Sequence, residues 1–440
     1  MFQTLKNAWK IPELRSKLLF TLLIVVLYRL GANVPVPYVD ANVFESASKM
    51  MAGSILQYLN IMSGDALAKA TLFALGVSPY ITASIVMQLL TIAIPGLQKW
   101  SEEGAAGRKK INFVTRIVTV ALAIVTSIGY VRYLNSNSWL VKELNFFRGL
   151  VIVCCYCAGA ALVMWLAEKI NEKGIGNGIS IILFANIIAG MFSLATTIWE
   201  TVFTEGGFSG FSLGGMFIAL AEILVILAFV VLIVRVSDAE RRIPIQYAKR
   251  VVGRKMYGGQ NTNLPLKVNM SGVMPIIFAN SIVAIPATIV TFTGSSNWFG
   301  RFVQNWFNYN TWPYLIVFLI LIFAFAYFYV AISFNPTEVA NNIKNNGGAI
   351  PGIRSGRPTV EYITKILNRI TLVGAIFVAI VAGFPMLVYV IQSMVAPNSN
   401  MFAGFAFGGS SLMIVVGVAL ETVRELEAQM SLRNYKGFLD

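Results

Sequence analysis

The chain has 440 residues, of which 57% are hydrophobic and only 12% charged. Soluble domains carry roughly 25% charged residues, so there is too little charge here to solvate a surface of this size. A soluble enzyme is excluded, and lipid is the expected solvent. The net charge of +14 demands an anionic counterpart.

The first 17 residues are polar and basic, and the apolar run behind them lacks a small-residue cleavage site, so it is expected to be a retained span. A bilayer core takes about 20 apolar residues per helix. Ten stretches meet or approach that length: Leu18–Val34, Thr71–Ile94, Val114–Leu134, Gly149–Ala167, Ile179–Trp199, Gly214–Val236, Ser271–Phe292, Tyr314–Phe334, Ile370–Val390 and Ser410–Glu421. The last is short and runs on into a charged helical tail. An all-α integral membrane protein of ten transmembrane helices is predicted. With the N-terminus inside, 27 of the 34 Lys and Arg fall on cytoplasmic segments. The seven outside are Arg29, Lys49, Lys69, Arg132, Lys142, Arg148 and Arg301. Positively charged loops stay inside, so both termini are predicted to be cytoplasmic.

No histidine is present, which removes the commonest metal ligand and general base. Cys154, Cys155 and Cys157 sit within an apolar run at no metal or redox spacing, and read as small apolar filling. No metal and no cofactor are expected, and no catalytic residue is assigned.

Two cytoplasmic segments, 237–270 and 335–369, are longer than a topology signal requires. The first carries Arg241, Arg242, Lys249, Arg250, Arg254, Lys255 and Lys267 against Asp238 and Glu240. Its Arg-Ile-Pro-Ile-Gln-Tyr alternates like a strand, and Val252-Gly253-Arg254 offers a turn back. A folded basic projection of this kind suits a large anionic partner such as a ribonucleoprotein.

The pattern G-V-x-P-x-I occurs twice, at Gly76–Ile81 and at Gly272–Ile277, in the second span of each five-span half. Five is odd, so the halves (1–199 and 200–440) cross the membrane in opposite senses and imply an inverted repeat with a path between them. Glycine and proline at the same depth are expected to weaken both helices there. Inverted repeats also build ion-coupled transporters, but those need polar groups at the midplane. Val77, Ile81 and Ile277 are aliphatic and suit a dry constriction instead. Composition and repeat leave transporter and channel both open.

Four motifs then carry a resemblance: Phe73-Ala74-Leu75-Gly76-Val77-Ser78-Pro79-Tyr80-Ile81, Glu172-Lys173-Gly174-Ile175-Gly176-Asn177-Gly178-Ile179-Ser180, Pro265-Leu266-Lys267-Val268-Asn269 and Pro351-Gly352-Ile353-Arg354. In order and over essentially the whole chain, they resemble the bacterial SecY family of protein-conducting channels. The resemblance implies an hourglass path, hinged between spans five and six and opening sideways between spans two and seven. It maps a constriction ring onto Val77, Ile81, Ile179, Leu183, Ile277 and Ile414, with Val77 and Leu183 standing where relatives often have isoleucine. The segment 55–70 looks like the family's plug, centred on Ile61, Met62, Ser63, Gly64, Asp65, Ala66 and Leu67. Thr82, Ile85, Gln88, Asn280 and Ile285 fall at the side gate. Partners implied are SecE-type and SecG-type membrane subunits, the SecA motor ATPase, the ribosome, and translocating chains with their signal sequences. Arg354 matches the arginine needed for motor-driven transport, and the basic positions of 237–270 match the rest of that docking surface. No phosphate-binding G-x-x-x-x-G-K-[ST] occurs, so hydrolysis is left to a partner. The location implied is the bacterial plasma membrane.

Overall fold

A computed structural model describes the chain except residues 1, 41–54, 142–143, 203–212, 248–249, 253–254, 258–260, 294–297, 307–310, 396–408 and 437–440. It is built of helices. In chain order they are α1 Phe2–Lys10, α2 Pro12–Gly31, α3 Ile55–Ser63, α4 Ser78–Ala93, α5 Pro95–Glu102, α6 Ala105–Ser136, α7 Phe146–Lys173 and α8 Gly178–Val202. They continue as α9 Leu213–Asp238, α10 Met274–Thr293, α11 Trp298–Trp306, α12 Trp312–Ser333, α13 Pro336–Asn345, α14 Arg357–Val395 and α15 Gly409–Lys436. The ten expected spans are α2, α4, α6, α7, α8, α9, α10, α12, α14 and α15.

Boundaries differ from the hydropathy reading where local chemistry intervenes. Span two was expected from Thr71, yet helix begins only at Ser78, and 71–77 is a chain of turns. Gly76 sits at φ +54, a left-handed conformation that only glycine adopts without cost, and Pro79 occupies the first helical turn. Span seven repeats this: Gly272 lies at φ +60 and helix starts at Met274, with Pro275 next. The repeated motif therefore does not weaken the two helices from within, as expected from sequence; it starts them. At 16 residues α4 is about 24 Å long, short of the roughly 30 Å hydrocarbon core. Its non-helical lead-in is buried at Thr71, Phe73, Ala74 and Val77, as backbone of this kind must be at membrane depth.

At its inner end span two stops at Ile94, and α5 leaves at 101°. Between spans four and five, the Asn177 side chain caps α8, accepting from the Ile179 amide at 3.0 Å. Span nine is far longer than its apolar run because α14 continues through polar residues from Arg357. Span ten likewise runs on into the charged tail, and there Arg424 Nη2 donates to Asp238 Oδ1 at 2.6 Å and to the Ser237 carbonyl at 2.8 Å. That contact fastens span ten to the end of span six. The three cysteines are free thiols.

Both long basic segments, 237–270 and 335–369, contribute strands, and these pair with each other. β1 (Glu240–Tyr247) pairs antiparallel with β4 (Asn261–Lys267), while β2 (Arg250–Val252) and β3 (Lys255–Tyr257) form the expected hairpin beyond them. The sequence did not reveal β5 (Gly348–Ala349), which comes from the second segment and pairs with the end of β1. The strand alternation of β1 has a reason: Ile243 and Ile245 point into a small core with Leu266, Ala340, Ile343, Ile350 and Ile363, while Arg241 and Arg242 stay exposed.

Candidate functional site

The largest apolar cluster gathers the whole mapped ring. Val77, Ile81, Leu183, Ile277 and Ile414 are buried at 4% exposure or less, and Ile179 packs against them half-buried. They arrive from spans two, five, seven and ten, so helices far apart in sequence converge on one spot. Met62 and Ala66 of the segment 61–67 belong to the same cluster. A knot of branched side chains with nothing to offer a water is dry by construction.

Against this knot lies a partly polar cavity of about 430 Å³ bordered by Ile277, Met413, Ser180, Asn269, Glu421 and Arg424. The segment itself also packs on the knot. It leaves α3 through two left-handed residues, Gly64 (φ +65) and Asp65 (φ +68), and is wound on its own side chains. Asn60 donates to Asp65 Oδ1 at 2.9 Å and accepts from the Ala68 amide at 2.8 Å, and Ser63 Oγ accepts from the Leu67 amide at 3.1 Å. Asn60 and Ser63 are buried polar residues that the fold satisfies locally. Spans three and four hold the far end: Tyr130 donates to the Leu67 carbonyl and Tyr156 to that of Ala70.

Sequence reasoning missed the near end. Arg29 was counted among outside basic residues as a topology signal. It lies in the last turn of span one, half-buried, donating to the carbonyls of Ala185 at 2.6 Å, Asn186 at 3.2 Å and Gly64 at 3.3 Å. An arginine at depth in a membrane helix costs about 2.5–3.5 kcal/mol on insertion scales. Charge-assisted hydrogen bonds of about 1.5–3 kcal/mol each offset that. Asn186, fully buried in span five, donates to Tyr28 Oη at 2.9 Å and to the Met62 carbonyl at 2.7 Å. The available signal was an arginine within an otherwise apolar helix end.

The mapped gate residues divide. Thr82, Asn280 and Ile285 line one apolar cavity of about 210 Å³ between spans two, three and seven, shared with Met62 and Leu67. Asn280 is buried there, and neither its amide nitrogen nor its oxygen has a hydrogen-bond partner. Ile85 is buried in the main cluster. Gln88 is exposed, nearer the inner end of span two.

Of the mapped docking residues, Arg241 and Arg242 lie on β1, with Arg242 Nε 3.6 Å from Glu240 Oε2. Arg250 and Lys255 lie in β2 and β3, while Lys249 and Arg254 fall outside the described residues. Arg354 is exposed in a turn bounded by Gly352 and Gly356, both left-handed. Its carbonyl is held by Thr359 Oγ1 at 2.9 Å, so its guanidinium is presented rather than spent. Among the described residues no group of His, Cys, Asp and Glu could hold a metal ion.

Helices from both ends of the chain packed on one apolar cluster, with the segment 61–67 and a partly polar cavity against it, make a helical membrane protein. Comparison with known proteins gives the family. A SecY profile matches residues 71–423. The chain is 44% identical to the protein translocase subunit SecY of Streptomyces coelicolor and 40% identical to that of Bacillus subtilis, in each case over all of both chains. A solved structure described as a protein conducting channel superposes with a TM-score of 0.62 at 17% identity, covering 94% of this chain and 92% of that one. The chain belongs to the SecY family. Its function is that of the channel subunit of a protein translocase.

Proposed function

We propose that unfolded polypeptide passes through the knot formed by Val77, Ile81, Ile179, Leu183, Ile277 and Ile414, and that 61–67 is the plug that closes it. The observation that carries this is that those six residues, from four spans, share one apolar cluster with Met62 and Ala66. Branched aliphatic side chains conform to any passing side chain and demand no hydrogen bond of it. They also close by excluding water once the chain has left.

Apolar segments leave sideways between spans two and seven, through the cavity that Thr82, Asn280 and Ile285 line. Its lining is apolar apart from a few hydroxyls and the unpartnered Asn280 amide. A hydrophobic helix fits such a wall, and the lone buried amide weakens the closed seam. The two halves, 1–199 and 200–440, move apart as bodies joined between spans five and six.

The cytoplasmic body of β1, β4, β5 and α13 receives the partners that deliver the chain. Its exposed arginines, Arg241, Arg242 and Arg354, suit the ribosome and the SecA motor. SecE-type and SecG-type subunits clamp the spans from the lipid side. The membrane is the bacterial plasma membrane with both termini cytoplasmic, the orientation that leaves 27 of 34 Lys and Arg inside.

A cross-link tests the side exit. Cysteines replace Thr82 and Ile285 in a chain whose Cys154, Cys155 and Cys157 are changed to Ala. A disulfide requires Cα atoms within about 7 Å, so its formation reports the seam itself. The bond should stop both secretion and membrane insertion, and reduction should restore them. A bond that forms readily yet leaves insertion intact would mean that apolar segments leave by another route.

A further inference from the structure

The nine-residue helix α3 ends at Ser63, and carbonyls at and just past its end face donors on spans five and one. A helix C-terminus carries partial negative charge and unfilled acceptors. The chain fills some of them itself: the Ile61 carbonyl accepts from Gly64 N and that of Asn60 from Asp65 N. The carbonyls of Met62 and Gly64 are met instead from outside the segment, by Asn186 Nδ2 at 2.7 Å and Arg29 Nη1 at 3.3 Å. Spans one and five thus each hold 61–67 by its main chain, at residues two apart.

Each of these donors has a second partner that does not move with the segment. Arg29 also binds the carbonyls of Ala185 and Asn186 on span five, and Asn186 also binds Tyr28 Oη on span one. If 61–67 leaves, neither buried donor is stripped of every bond, and spans one and five stay tied to one another. A contact built only for rigidity would not need this redundancy; a reversible one does.

We infer that Arg29 and Asn186 form a latch that holds the plug shut: they are positioning residues for gating, acting on the main chain of 61–67. This rests on reading 61–67 as the plug. The latch also sets a requirement on opening: the Gly64 carbonyl must leave Arg29 and the Met62 carbonyl must leave Asn186 before 61–67 can move.

The test uses the purified channel complex in sealed liposomes, read in two ways. One is resting ion leak. The other is labelling of Ala66→Cys, buried at 0% exposure, by a membrane-impermeant maleimide, in a chain whose three native cysteines are Ala. Arg29→Gln and Asn186→Leu should each raise both readings about tenfold or more, as loss of a charge-assisted or buried hydrogen bond implies in a two-state equilibrium. Tyr28→Phe removes the other partner of Asn186 and spares both carbonyl contacts, so it should leave both readings unchanged. If Arg29→Gln does not assemble, Arg29→Lys replaces it, keeping the charge but losing the fork. A control chain replaces 61–67 by glycine and serine at equal length. If that chain leaks while the Arg29 and Asn186 variants stay sealed and unlabelled, the latch is overturned and the plug stands. A control chain that stays sealed overturns the plug, and the latch with it.

Discussion

The two G-V-x-P helix starts are alike in sequence and in backbone, yet they face opposite surroundings. At Gly76 the chain turns left-handed, and a side chain placed there would meet Ser63 Cα at 3.5 Å. At Gly272 the same turn has nothing within 4 Å and borders the polar inner cavity. One start is covered by Ser63 of the segment 61–67 and the other is open. The repeated motif does not make this difference. It comes from what precedes each motif in the chain: before span two a short helix that folds back under its own hydrogen bonds, before span seven the β1–β4 strands.

The sharpest way to break this comparison is to remove what both starts share. Replacing Ile81 and Ile277 together by Ser should make the resting channel leak strongly, because hydroxyls wet a gap that branched apolar side chains keep dry. Ion flux through reconstituted channels measures it. Wild-type flux from a folded double variant would remove both residues from the path.

The next largest effect separates the two starts. Gly76→Val and Gly272→Val force a β-branched residue into the same left-handed conformation, at a similar cost of about 1–3 kcal/mol each. Thermal stability should fall alike in both. Only Gly76→Val should also raise ion leak and expose the plug to impermeant maleimide, since only there does the new side chain press on Ser63. Equal leak from both variants would mean that the asymmetry has no functional weight.

The smallest structural effect is expected on the cytoplasmic body. Arg354→Glu reverses one exposed charge in a turn fixed by main-chain geometry, so stability should change by less than about 0.5 kcal/mol. Secretion driven by the purified SecA motor should nevertheless fail, while a sealed resting channel is retained. Normal motor-driven transport would release Arg354 from the docking surface.

By itself the sequence determined the solvent, the number of spans and the resemblance. Those depend on runs of apolar residues about 20 long and on motifs read locally. It also pointed to Val77, Ile81 and Ile277, on which the repeat and the resemblance converge and which the fold buries in one cluster, and to the strand character of β1, because alternation is a local signal. The tertiary structure decided the rest. It alone brought Leu183 and Ile414 into one cluster with Met62, paired β5 of one long basic segment with β1 of another, and put Gln88 at the surface while Thr82 and Ile285 shared a cavity. It also makes Arg29 a donor to the segment 61–67 and to span five. The physical reason is common to all of these. Main-chain carbonyls are the same at every position, and which donor reaches them is settled only when helices distant in sequence pack side by side.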